Sequence, residues 1–169
     1  MEYISSADQK SFNTRYRTAV VLALAFASSA IVLLIAARLI RIEPKIVETV
    51  NWQKILYTGA IVIGLAAVVL RRLFLSRPMM IGAIRRGAEA VLERLTIASV
   101  IGGALGEMAA IFGFLGYLLT GDLDYSWRLG VVGLLIIAYS FPRRGEWARQ
   151  IALVEKESPE AKLLGNSGV

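Results

Sequence analysis

Between Thr18 and Ile40 the chain is apolar for the depth of a membrane, interrupted by Ser28-Ser29 at its midpoint and by Arg38 near its end. As a helix rising ~1.5 Å per residue this run reaches about 34 Å, enough to cross the hydrocarbon core of a bilayer. A run of that length leaves few folds open, because in lipid every backbone N–H and C=O must find its partner inside the segment. Three more runs follow, over about 52–75, 95–119 and 125–141, closed by Arg71-Arg72, by Thr120-Gly121-Asp122, and by Pro142-Arg143-Arg144. The hydrophobic share, 56% of 169 residues, exceeds the ~45–50% of a soluble domain, and the excess lies in these runs. The expectation is an all-α, polytopic membrane protein: one domain over 1–156 with four transmembrane helices, then a polar tail over 157–169.

The connections carry the polar residues. Lys10, Arg15 and Arg17 before the first run resemble the start of a signal peptide. The run is longer than an h-region of roughly 7–15 residues, so an uncleaved signal-anchor is expected. Trp52, Tyr57, Tyr125 and Trp127 suit a membrane interface, and Pro44 lies just beyond the first run. Over 79–94, Ile81, Ile84, Ala88, Val91, Leu92 and Leu95 recur at helical spacing, with Arg85, Arg86, Glu89 and Glu93 largely opposite. That pattern predicts one amphipathic surface helix entering the third span, with Arg85 and Glu89 as an i,i+4 pair and its charged face solvated. A second surface helix is expected over 145–156, from the stripe Trp147, Ile151, Val154. Fourteen of the 19 Lys and Arg residues lie in the N-terminal segment, the 71–94 connection and the tail. The excess of positive charge marks that side as cytoplasmic, which puts both termini inside, in a bacterial cytoplasmic (inner) membrane.

Composition removes whole classes of function. Without cysteine or histidine there is no disulfide, no thiolate site, no His-ligated haem, zinc or chlorophyll, and no imidazole base. No phosphate-binding glycine loop, HExxH or nucleophile elbow is present. The chain is expected to be no enzyme and to hold no metal and no cofactor. Its net charge of +6 sits at the ends of apolar runs, where anionic lipid headgroups lie, so membrane lipid and not nucleic acid is the expected partner. Asp122 and Asp124 form a D-x-D, read as polar residues of an exposed turn. Phe112, Phe114 and Tyr117 read as packing residues.

One residue breaks the pattern. Glu107 lies near the middle of the third span, where a lone acid costs about 2.5–3.5 kcal/mol. At 100° per residue Gly103, Gly106 and Ala110 cluster beside it, and Gly102 and Gly113 extend that flank. Gly102 and Gly106 form a GxxxG, a face onto which another helix can pack closely. Gly59 and Gly64 are read as smaller contact points of the second span. Glu107 borders the glycine face, so its carboxyl is expected in a helix–helix seam, neutral and protonated. With the first and third spans running the same way, Ser28 and Ser29 lie at its depth as candidate hydrogen-bond company; the serines can equally bond their own backbone.

The stretch Ile101–Thr120 carries a resemblance. Gly102-Gly103-Ala104-Leu105-Gly106-Glu107, followed by Ile111-Phe112-Gly113, is similar to the G-x-A-L-x-E-x-x-x-I-[YF]-G helix of the proteolipid c subunits of rotary ATP synthases. The resemblance is local to this helix and implies an ion- or proton-binding carboxyl at Glu107. The whole chain resembles small bacterial membrane proteins with four spans, a likeness that carries no activity. Two functions are therefore expected in turn. The first is a non-catalytic accessory or structural subunit of a larger membrane complex, an energy-transducing (respiratory or photosynthetic) assembly being one setting, with other membrane-protein subunits as partners. The alternative is proton or ion translocation through Glu107.

Overall fold

The computed structural model describes residues 6–43 and 51–157. They form six helices: α1 (Ser6–Leu39), α2 (Trp52–Phe74), α3 (Arg77–Ile84), α4 (Ala88–Thr120), α5 (Leu123–Ser140) and α6 (Arg144–Glu157). No strand occurs among the described residues. The tail beyond Glu157, Pro44 and the rest of 44–50, and the side chains of Trp52 and Val154 lie outside the described residues.

Three helices are long and apolar enough to cross a membrane, over Gln9–Leu39, Lys54–Phe74 and Ala88–Thr120. α5 is not one of them: it has 18 residues, with Asp124 and Arg128 in its first two turns. It still runs beside α4 from Gly116 to Gly102. A Cβ built on Gly113, Gly106 or Gly102 would meet Leu129, Gly133 or Ser140 respectively, so α5 lies antiparallel along the apolar part of α4. α4 is the hub, touching all five other helices.

The bundle keeps its small residues inside and its large ones outside. α1 buries Ala19, Ala23, Ala30 and Ala37, while Val21, Leu24, Ile31, Val32 and Ile35 are exposed. The buried positions recur at steps of four and seven, the spacing that keeps one stripe turned to a neighbouring helix. α2 turns one stripe inward at steps of four and three, alternating Leu56 and Ile63 with Ala60 and Ala67. In water this arrangement wastes apolar area; in lipid, where helices associate by close packing and not by hydrophobic burial, small residues belong at the seams.

One end of the bundle is packed differently. There Phe12, Met80, Ile84, Leu92, Leu95, Trp147 and Ile151 bury one another, drawing on α1, α3, α4 and α6. Tyr16 stacks on Phe12 with centroids 6.0 Å apart, and Trp147 meets Tyr16 edge-on at 5.6 Å. The parts of α1 and α4 that precede the apolar runs at Thr18 and Leu95 are anchored by this core of ordinary large side chains.

The single surface helix expected over 79–94 is two pieces. α3 ends at Ile84 and α4 starts at Ala88, because Gly87 takes φ +103°, a conformation closed to residues with a Cβ. The break separates Arg85 from Glu89, and Glu89 accepts instead from Arg15 Nη2 of α1 at 2.9 Å. The apolar face of α3 is Met80, Ala83 and Ile84, with Ile81 exposed. Gly59 also differs from expectation: a Cβ there meets nothing within 4 Å, so it is no close-contact point.

Candidate functional site

The glycine face of α4 is a backbone-to-backbone seam with α5. A Cβ on Gly106 would stand 2.6 Å from the Gly133 carbonyl oxygen, and one on Gly113 2.9 Å from the Tyr125 carbonyl oxygen. Gly102 lies against the Ser140 side chain. Gly103 turns toward α1, where a Cβ would come within 3.0 Å of the Phe26 ring, and Ala110 packs with Ala30 and Ile137. All five are buried. Sequence reading passed over the opposite half of the seam, Ser126, Leu129, Gly133, Ile137 and Ser140, although their 3-4-4-3 spacing marks a single helix face. All five of these are buried as well.

The expected company of Glu107 separates at this point. Phe26 packs on Gly103, Ala30 on Ala110, and the Tyr117 hydroxyl donates to the Ile40 carbonyl. α1 and α4 are therefore parallel and in step, which puts Ser28 and Ser29 level with Glu107. The same contacts fix the azimuth. α1 meets α4 through Phe26 and α5 through Leu34, which lies over Gly130. At 100° per residue Ser29 then falls beyond the α4 contact, on the side away from α5, whereas Ser28 faces outward. By the same construction Glu107 lies beyond the α1 contact of α4, again away from α5. Ser29 and Glu107 thus border one lateral groove along the outside of the α1–α4 seam, both half-buried, while Ser28 is exposed.

The groove is open. The α4 side next to Glu107 continues into exposed Ala104, Met108, Ile111 and Leu115. Carboxylates with partners among the described residues are Glu89, Glu146, Asp122 and Asp124. Glu107 is not one of them, and no bond to Ser28 or Ser29 appears among the described residues. A carboxyl placed this way can accept or donate a hydrogen bond to a group that enters from the side.

The remaining polar candidates have structural employment. Asp122 caps α5, its side chain accepting from the Asp124 N–H at 3.0 Å, and Asp124 pairs with Arg128 at 2.8 Å. Among the described residues no three Asp or Glu side chains gather as a metal site would require. Phe112 and Phe114 are half-buried and Tyr117 is buried. No family model, no curated protein and no solved structure matches the chain.

Proposed function

We propose that the chain is a four-span protein of the bacterial cytoplasmic membrane that serves as a non-catalytic accessory subunit, offering the α1–α4 groove to a helix of another membrane-protein subunit. One observation carries this reading: Glu107 is half-buried on the groove wall without a partner among the described residues. An acid at mid-depth in lipid is costly, and a polar group on an incoming helix relieves that cost. Model helices give about 1–2 kcal/mol for such a bond. The apolar exterior of α1, α2 and α4 supports membrane embedding, and α5 completes the fourth span because it lies along the same depth of α4. Both termini are assigned to the cytoplasm from the charge distribution.

Purification from the native membrane in mild detergent tests the assignment. Partner chains are expected to co-purify with the wild type and to be depleted with Glu107→Leu, while the variant keeps its helicity and thermal stability. A wild-type chain that runs as a stable monomer without partners at native abundance overturns it.

The outward placement of Glu107 beside Ser29 also favours a second reading, in which the carboxyl itself carries a proton or ion at the lipid face, in the manner of the c-subunit helix it resembles. That reading requires Glu107→Gln to abolish proton flux into vesicles reconstituted with the chain and its partners. Unchanged flux removes it.

A further inference from the structure

At the end of the bundle opposite the C-terminal end of α1, an open cavity of about 270 Å³ is bordered by α2, α4, α5 and α6. Arg71, Arg143 and Arg149 line it, with Glu146 as its one carboxylate, and Leu75 and Leu95 supply apolar wall. Arg71 is set in place. Its side chain is only 14% exposed and lies 3.5 Å from Glu146, its Nη1 donates to the Tyr139 carbonyl oxygen at 2.5 Å, and its guanidinium lies 4.9 Å over the Tyr139 ring. Glu146 is thus committed to Arg71. Arg143 and Arg149 are exposed and have no ion pair among the described residues.

We propose that this cavity binds the headgroup phosphate of an anionic phospholipid. Guanidinium groups are forks that match phosphate oxygens two at a time, which Arg143 and Arg149 offer, while Arg71, held by Glu146 and Tyr139, adds a fixed positive charge. The three arginines outnumber the carboxylate, so the site carries a positive excess that a phosphate monoanion halves. A free phosphate gains nothing from Leu75 and Leu95. A phospholipid uses them, and its acyl chains run on along the exposed Val68 of α2 and Leu135 of α5. The site lies where α2 and α5 end, the level at which a headgroup meets an embedded bundle.

The proposal rests on membrane embedding but is independent of any partner at Glu107. A chain found in the soluble fraction overturns both the embedding reading and this one, whereas a membrane-extracted chain that shows no preference for the anionic lipid overturns this one alone. Native mass spectrometry of protein equilibrated with mixed phosphatidylglycerol and phosphatidylcholine reads the bound lipid. The wild type is expected to enrich phosphatidylglycerol over the bulk ratio, with the enrichment falling roughly fivefold for each of Arg143→Gln and Arg149→Gln. These positions are exposed, so their loss does not threaten folding; Arg71→Gln is the stronger variant, read only if its thermal unfolding matches the wild type. In delipidated protein, short-chain phosphatidylglycerol is expected to raise the unfolding temperature where equimolar inorganic phosphate does not. Enrichment unchanged in the Arg143→Gln/Arg149→Gln double variant overturns the site, and equal stabilisation by inorganic phosphate overturns the lipid as its ligand.

Discussion

A side chain at position 106 has no room. The Cβ alone would stand 2.6 Å from both the Gly133 carbonyl oxygen and the Ile137 side chain, and one of the two is backbone. Gly106→Leu is expected to pry α4 from α5 and cost about 3 kcal/mol or more, at the upper end of overpacking penalties. Chemical unfolding in detergent micelles, followed by circular dichroism, measures it. Gly59→Ala is the matched control. With nothing within 4 Å of its Cβ, that change is expected to be neutral or to stabilise α2 by up to about 1 kcal/mol through helix propensity. If both glycines respond alike, the tight seam is not what holds α4 to α5. Glu107 shows how far one residue can be read. Its oddity was legible from hydropathy, and so was its position bordering the glycine face. Which neighbour shares its groove was not, because helical spacing fixes an azimuth on one helix and says nothing about the helix it meets.

At the scale of elements, the break between α3 and α4 depends on Gly87. Its φ of +103° with ψ of 175° is a region of backbone space that is essentially glycine-only. Gly87→Ala is expected to destabilise the chain by about 1–3 kcal/mol and to favour a continuous helix across 84–88. Faster tryptic cleavage after Arg85 and Arg86, together with a lower unfolding temperature, would register it; an unchanged digest would count against the strained turn. α6 depends on Trp147, which is 2% exposed in a pocket with Phe12 and Tyr16. The 4-residue step from Trp147 to Ile151 announced the apolar stripe of α6. Nothing in the sequence announced that the first turns of α1, at Phe12 and Tyr16, would be its partner, since those residues are separated from it by more than a hundred positions. The amphipathic pattern over 79–94 misled in a related way: periodicity continues through a glycine that the backbone does not carry through as helix.

For the whole molecule, the testable statement is topology. The chain has no cysteine, so single introduced cysteines report one site each. Glu43, Arg85 and Gly145 are exposed and follow α1, α3 and α5 respectively. A membrane-impermeant maleimide applied to intact cells is expected to label Glu43→Cys, and to reach Arg85→Cys and Gly145→Cys only after permeabilisation. Labelling of Gly145→Cys in intact cells would mean that α5 does not cross. The basic connections do collect at one end of the bundle, where the core around Trp147 and the arginine-lined cavity lie.

The sequence alone determined the helical class, the apolar runs and the side on which arginine accumulates. These follow from local chemistry: an apolar run pairs its own backbone as a helix, and the arginines gather where the runs end. Only the tertiary structure decided that α4 is the hub, that its glycines meet Gly133 and Ser140 of α5, and that Glu107 is left with Ser29 on an outer groove. Those outcomes depend on which faces meet. In a bundle whose seams are alanine and glycine, many pairings satisfy the pattern of any one helix, and close packing of all of them together selects one.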